Sequence, residues 1–119
     1  MIELEVTIPE KISLNKIYGG VHWSKRKEWA DMYHEEFLDV KGVRVGAEEY
    51  PVRITYNFQF VKQALDTLNC AMMAKMLEDG MVLAGILKDD SPDYVRESVI
   101  VSRKVRGKVD KVLVSICSL

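Results

Sequence analysis

The sequence predicts a single α+β domain over residues 1–119, with a small mixed β-sheet and two helices in the order β-α-β-α-β-β. Three observations support this prediction. Four segments are rich in alternating or β-branched apolar residues, two segments carry apolar side chains at helical spacing, and no repeat or linker divides the chain. A chain of this length buries roughly two-thirds of its unfolded surface, so one hydrophobic core is sufficient.

The first strand is predicted over residues 2–8, where apolar and polar side chains alternate with period two. Pro9 ends this strand. Residues 9–23 are expected to form a loop, because the pair Gly19-Gly20 favours a turn.

The first helix is predicted over residues 24–41. Ser24 is a suitable N-cap and Gly42 is a suitable C-terminal stop. Between them, one stripe of mostly apolar side chains recurs at helical spacing and is expected to face the core. The stripe consists of Trp29, Met32, Tyr33, Glu36, Phe37 and Val40.

The middle of the chain predicts a strand over residues 52–60, followed by a second helix. Asp66 or Thr67 is expected to cap that helix, which runs to about Ala84 through good helix formers. Gly80 lies inside the helix and costs about 1 kcal/mol relative to alanine, so close packing is expected there.

The turn formed by Asp89-Asp90-Ser91-Pro92 leads into two further predicted strands, over residues 94–104 and 108–117. The β-branched residues of both segments favour strands. Because a short connection that contains glycine joins them, we expect the two strands to pair as an antiparallel hairpin.

The composition and the first residues of the sequence indicate a cellular compartment. Apolar residues make up 48% of the chain and charged residues 29%, which is ordinary globular composition. The first residues carry two acids and no basic segment, unlike a signal peptide, and no apolar run approaches the ~20 residues that span a bilayer. Cys70 and Cys117 are too few for a disulfide framework. We therefore expect the cytoplasm of a cell, or of a phage's host.

The distribution of charge suggests a partner more clearly than its total does. The formal net charge of −1 argues against a protein that coats nucleic acid non-specifically. Two basic segments nevertheless flank an acidic middle and would suit a phosphate-binding rim, unless they are only a solvated helix start and a charged turn. The segments contain Lys16, Lys25, Arg26 and Lys27, and then Arg103, Lys104, Arg106, Lys108 and Lys111.

Three aspartates are candidate ligands for Mg²⁺, which binds carboxylate oxygens and supports phosphodiester hydrolysis. They are Asp66, Asp89 and Asp90. The predicted helix between them is about 27 Å long at 1.5 Å per residue, so Asp89 must return along it or meet Asp66 across a dimer axis. The alternative is that these acids form only a helix cap and a turn.

The two tryptophans are assigned different environments. Trp29 belongs to the apolar stripe and is expected to be buried. Trp23 lies in the predicted loop beside Lys25, where it is a candidate for stacking on nucleic-acid bases.

Three segments, taken together, resemble a known family. The first is Ile8-Pro9-Glu10-Lys11 followed by Ser13-Leu14-Asn15-Lys16-Ile17-Tyr18, the second is Asp66-Thr67-Leu68-Asn69, and the third is Ala84-Gly85-Ile86-Leu87-Lys88-Asp89-Asp90-Ser91-Pro92-Asp93-Tyr94-Val95. In this order they are similar to the opening, the Asp-x-Asp-Asn signature and the Asp-Asp-Ser-Pro segment of the RusA family of Holliday-junction resolvases.

The resemblance implies a RusA-like fold and a homodimer that cuts four-way DNA junctions symmetrically with Mg²⁺. By resemblance, Asp66 and Asp90, with Asp89 beside it, hold the metal, and Asn69 is the signature asparagine. Lys75 is the lysine nearest to the position of a family lysine and is assigned a phosphate-binding or charge-stabilising role. The DNA-contacting residues would include Lys16, Lys25, Arg26 and Lys27.

One position departs from the family signature. Leu68 stands where the second aspartate is expected, and leucine cannot ligate Mg²⁺. Glu78 and Asp79 are expected to lie too far along the helix to replace it. Three hypotheses therefore stay open: a Mg²⁺-dependent endonuclease, a junction-binding protein that no longer cuts, and a small dimeric interaction protein whose acids are only caps and turns.

Overall fold

One four-stranded mixed sheet organises the chain in a computed structural model that describes residues 1–119. Three helices accompany the sheet, so the predicted α+β class is confirmed. No helix is both long and apolar enough to cross a membrane. The elements are β1 (Ile2–Thr7), α1 (Leu14–Tyr18), α2 (Trp23–Glu35), β2 (Val52–Phe60), α3 (Ala71–Leu83), β3 (Val95–Lys104) and β4 (Lys111–Ser118), with short 3-10 turns at Ala47–Glu49 and Thr67–Cys70.

β2 forms the centre of the sheet and of the core. The sheet order is β1-β4-β2-β3, and β2 pairs with β4 in antiparallel and with β3 in parallel orientation. Every second side chain of β2 is buried, in one cluster with side chains of α2 and α3. The predicted strand over residues 52–60 is therefore confirmed, together with the face that it buries.

The predicted hairpin between the last two strands is wrong, because β2 lies between β3 and β4. The connection 105–110 passes the end of β2, where the N–H of Val105 donates to the carbonyl of Phe60 at 2.8 Å. β2 is apolar enough for the central position, whereas the largely exposed β3 carries Arg, Glu, Ser and Lys, which suit an edge strand.

The ends of the helices differ from the prediction. α2 begins one residue before the predicted start, because His22 rather than Ser24 is its N-cap and accepts a hydrogen bond from the Ser24 N–H at 3.2 Å. Its last regular residue is Glu35, and the chain continues through turns in which Phe37 remains buried. The predicted stripe is thus largely correct, although regular helix ends six residues before the predicted residue 41.

The loop predicted between Pro9 and α2 contains the short helix α1, and the predicted second helix begins as a 3-10 turn before α3. Asp66 is the N-cap residue of that turn, but its side chain makes no capping hydrogen bond. The carboxylate of Asp66 is therefore not occupied by the backbone, contrary to the predicted cap.

The Gly80→Ala variant is expected to be less stable than the wild type by about 1–2 kcal/mol, despite the higher helix propensity of alanine. A Cβ atom at this position would lie 2.8 Å from Cδ2 of Phe37, whose ring is only 1% exposed. Urea unfolding measures the difference.

The matched control is Gly19→Ala, because a Cβ atom there meets only backbone oxygens at 3.6 Å. Its free energy of unfolding should change by less than about 0.5 kcal/mol. A Gly80→Ala protein as stable as the wild type would show that Phe37 moves aside at little cost.

Candidate functional site

Lys75 on α3 joins carboxylates from two parts of the chain. Its Nζ lies 2.8 Å from Oδ1 of Asp79 and 3.5 Å from Oδ2 of Asp90. The hydrogen bond from Lys75 to Asp79 raises the pKa of the lysine, and the charge of Asp90 adds to this effect. The turn that contains Asp90 therefore returns along α3 as far as Lys75, while a contact between this turn and Asp66 stays a prediction.

Glu78 and Tyr56 complete this group, and we call the five residues Lys75, Asp79, Asp90, Glu78 and Tyr56 the Lys75 cluster. The hydroxyl of Tyr56 donates to Oε1 of Glu78 at 2.8 Å. Burial raises the pKa of Glu78, partly offset by the hydrogen bond from Tyr56, while the charge of Asp90 raises it further. Burial and the neighbouring Glu78 also raise the pKa of Tyr56, so the hydroxyl remains a donor at neutral pH.

The Lys75 cluster borders a small cavity of about 210 Å³ between α3 and the sheet. Both charged and apolar side chains line it. The lining residues are Tyr56, Ala71, Ala74, Lys75, Glu78, Ser98 and Ile100. Solvent therefore reaches the cluster, and Lys75 itself keeps 58% of its side chain exposed.

Asp66 lies in an exposed segment that is held in place through its backbone. Its carbonyl accepts a hydrogen bond from the N–H of Asn69 at 2.9 Å, and its carboxylate makes no hydrogen bond or ion pair within the chain. The hydroxyl of Ser102 on β3 donates to the carbonyl of Leu65 next to it. The fold thus presents Asp66 at the surface, and its carboxylate has no partner within the chain.

Asp89 is exposed, and its Oδ1 accepts a hydrogen bond from the backbone N–H of Asp90 at 2.9 Å. No group of three or more His, Cys, Asp or Glu side chains in the chain has an arrangement that would hold a metal ion. Asp66, Asp89 and Asp90 are therefore not assembled into a ready-made metal site. The structure brings Asp90 to Lys75 and to Asp79 instead.

The opening motif and the signature segment meet in space. Helix α1, which contains Lys16, packs beside the 3-10 turn Thr67–Cys70, which contains Asn69. Lys16 is exposed and Asn69 is half-buried. Two segments about 50 residues apart in the sequence therefore contribute to one surface next to Asp66.

The basic start of α2 is exposed and only weakly neutralised. Lys25 lies 3.5 Å from Glu28, Lys27 lies 3.0 Å from Asp31, and Arg26 has no ion pair. Ion pairs between such exposed side chains contribute only about 0–1 kcal/mol. These cations are therefore available to an external phosphate.

Two large aromatic side chains are exposed near this basic segment, and a third is not. Tyr18 at the end of α1 is 78% exposed and Trp23 at the start of α2 is 70% exposed. Trp29 is only 4% exposed, so its predicted burial is confirmed. Stacking on nucleic-acid bases requires an exposed ring, and Trp23 has one. The stacking itself stays a prediction.

Sequence reasoning left Glu78, Asp79 and Tyr56 out of the candidate site. The spacing from Lys75 to Asp79 is four residues on a helix, so this ion pair is readable from the sequence. The contact between Tyr56 and Glu78 joins a strand to a helix, and no local sequence pattern predicts such a contact. Cys70 is fully buried, and burial raises the pKa of its thiol to about 11, which is typical of a packed rather than a reactive cysteine.

Comparisons with known proteins do not assign the chain to a family. No model of a protein family matches it, and no curated protein matches it at a significant level. The resemblance of the three motif segments to RusA-type proteins therefore stays a prediction from the sequence.

The Glu78→Gln variant is expected to gain stability relative to the wild type as the pH rises from about 4.3, the usual glutamate pKa. The folded state raises the pKa of Glu78, so it binds a proton that the unfolded state has already lost. The contribution of Glu78 to stability therefore falls as the pH rises through its folded pKa, and glutamine removes this fall while keeping an acceptor for Tyr56. Urea unfolding at several pH values measures the effect.

Glu3→Gln is the matched control, since Glu3 is exposed on β1 and has no ion pair. Its stability should follow the wild type across the same pH range. A constant difference between Glu78→Gln and the wild type at every pH would contradict the raised pKa.

Proposed function

We propose that this protein is a RusA-type endonuclease that binds four-way DNA junctions as a homodimer and resolves them by paired phosphodiester hydrolysis. The observation that carries the proposal is the placement of the three motif segments. The opening motif packs beside the signature segment, and the Asp-Asp-Ser-Pro segment returns to Lys75 on the helix that follows the signature. Segments that are far apart in the sequence thus lie along one helix, α3.

The basic residues supply the binding part of this function. Lys16 lies beside the signature segment, and Lys25, Arg26 and Lys27 lie at the exposed start of α2. Each cation that neutralises a backbone phosphate releases counterions, which favours binding at low salt. In this proposal Asn69 positions the DNA backbone next to Asp66, and Lys75 stabilises negative charge.

The carboxylates fit a metal site only in part. No three of them form a group within one chain, and Asp90 is already paired with Lys75. Mg²⁺, however, is commonly held by one or two protein carboxylates together with substrate phosphates and water. Asp66 and Asp90, with Asp89 beside it, are the residues that would hold it. A bound Mg²⁺ would supply an activated water and stabilise the leaving oxygen.

A second candidate is a protein that binds junctions without cutting them. The specific observation in its favour is Leu68, which occupies the second signature position with 76% of its surface exposed. An exposed leucine at this position removes one negative charge that would hold the metal. The basic surface does not depend on this position, so binding would survive.

Wild-type protein is expected to nick both strands of a labelled four-way junction in the presence of Mg²⁺, and to leave a matched linear duplex intact. Asp66→Asn and Asp90→Asn should each lower the cleavage rate at least about 100-fold, because each removes a charged metal ligand. Junction binding, measured in chelator by fluorescence anisotropy, should change little.

Asp93→Asn is the matched control, because Asp93 is exposed in the same turn but lies after the Asp-Asp-Ser-Pro sequence and forms no ion pair. It should cleave at the wild-type rate. Selective binding by the wild type without nicks would favour the second candidate. Neither binding nor nicking would favour the small interaction protein, and full activity in both aspartate variants would refute the assigned metal ligands.

Leu68→Asp is expected to increase Mg²⁺-dependent cleavage, since it restores the second carboxylate of the signature at an exposed position. The gain should be largest at low Mg²⁺ concentration, where affinity for the metal limits the rate. The Mg²⁺ concentration needed for half-maximal cleavage is the measured quantity. Leu68→Asn is its control, because asparagine is polar and of similar size to aspartate but carries no charge.

A further inference from the structure

The loop that connects β3 to β4 forms a second basic surface, which the proposed site does not include. We call residues 103–111, which comprise the connection 105–110 and the adjoining ends of β3 and β4, the basic loop. It contains five cations and a single acid, Asp110. The cations are Arg103, Lys104, Arg106, Lys108 and Lys111.

Asp110 is engaged by the backbone of neighbouring strands. Its Oδ1 accepts a hydrogen bond from the N–H of Val61 at 2.9 Å, and its carbonyl accepts one from the N–H of Ile8 at 3.0 Å. At the other end of the loop, Val105 donates to Phe60 at 2.8 Å. The basic loop is therefore anchored to the ends of β1 and β2, and its one acid forms no ion pair with the cations.

Most of these cations have no partner in the chain. Lys111 lies 3.5 Å from Glu5, whereas Arg103, Lys104, Arg106 and Lys108 are exposed and form no ion pair. A groove of about 330 Å³ runs along the loop and is lined mainly by polar side chains. The lining residues are Glu5, Gln59, Val105, Arg106, Gly107, Lys108, Val109 and Lys111.

The net charge of −1 for the whole chain does not cancel the local positive potential at the basic loop. At physiological ionic strength, charges separated by more than about 8 Å are largely screened from each other. The carboxylates elsewhere on the chain therefore act on other parts of the surface, and an approaching anion meets a local excess of positive charge.

We propose that the basic loop binds the sugar-phosphate backbone of a nucleic acid, at a surface separate from the Lys75 cluster. Exposed cations without a buried charged partner hold a single phosphate poorly, but several of them along a polyanion gain from the release of many counterions. An acidic protein partner is disfavoured, because protein interfaces are usually depleted in lysine and built around an apolar centre. The groove contains no aromatic side chain that would select a base.

The position of the basic loop connects it to the proposed function. The assignment of its nucleic-acid ligand to DNA rests on that proposed function. A Cβ atom on Gly107 would lie 3.3 Å from Cγ1 of Val61, at the start of the segment that leads to Asp66. The basic loop therefore borders the chain that presents the first signature aspartate. It extends the DNA-contacting surface beyond Lys16 and the start of α2.

The test compares the wild type with an Arg106→Ala/Lys108→Ala double variant in chelator. Fluorescence anisotropy measures the dissociation constants for a labelled linear duplex and a labelled four-way junction, between about 50 and 200 mM salt. The variant should bind both DNAs roughly tenfold more weakly, with a salt slope that is lower by about two phosphate contacts. Thermal unfolding confirms that the variant is folded.

The matched control is Lys41→Ala/Arg44→Ala, which removes the same two residue types from exposed positions near the opposite end of β2. Its affinity should stay within about twofold of the wild type. Equal losses in both variants, an unchanged salt slope, or no binding of DNA by the wild type would each overturn the proposal. Displacement of the duplex by polyglutamate as readily as by unlabelled DNA would also overturn it, in favour of an acidic protein partner.

These binding measurements, combined with the nicking assay in Mg²⁺, separate this inference from the proposed function. A wild type that binds duplex through the basic loop but neither prefers nor nicks junctions would support the loop and refute the resolvase. A wild type that selects and nicks junctions, with a double variant that binds as tightly, would support the resolvase and refute the loop.

Discussion

The central position of β2 is the constraint on which the rest of this structure depends. Its five inward side chains are each at most 1% exposed, and burial stabilises such side chains by about 1.5–3 kcal/mol each. Both edges of β2 are hydrogen-bonded, one to β4 and the other to β3, and β3 has no second partner, so it is an edge strand of the sheet. Because β2 and β3 are parallel, the chain must cross between them, and α3 is that crossover. The contact of Tyr56 with Glu78 follows directly from this arrangement.

The Lys75 cluster shows how this crossover gathers charge at one place. Asp90 precedes β3 in the chain, yet it reaches an ammonium group in the second turn of α3. Burial makes ionisation of Glu78 costly, and Lys75 offsets part of the negative charge around it. A charge introduced or removed at one member of the cluster therefore changes the electrostatic environment of the other members. This coupling makes the cluster sensitive to an external phosphate or cation in a way that isolated surface acids are not.

Only those parts of the candidate site that depend on local sequence patterns could be predicted from the sequence. The turn at residues 89–92 and the exposed aspartate at the end of the loop after β2 follow from turn chemistry and from the pattern of apolar residues. Lys75 is assigned by resemblance, as the lysine nearest to the position of a family lysine, and its contact with Asp90 is visible only in the structure. The helical spacing places Glu78 too far from Asp66 to share a site with it, and this prediction takes Asp66 as its reference point. The cluster forms around Asp90, which comes back along α3.

The sequence by itself determined the class of fold, the buried face of β2, the aromatic stripe of α2 and the close packing at Gly80, because these depend on periodicity and on residue size. The tertiary structure alone decided that β2 separates β3 from β4, since a short glycine-containing connection is compatible with a hairpin and also with a step past one strand. It also decided which carboxylates meet. Strand order and the return path of a loop depend on how the most apolar strand is buried, and this is a property of the whole chain rather than of any segment.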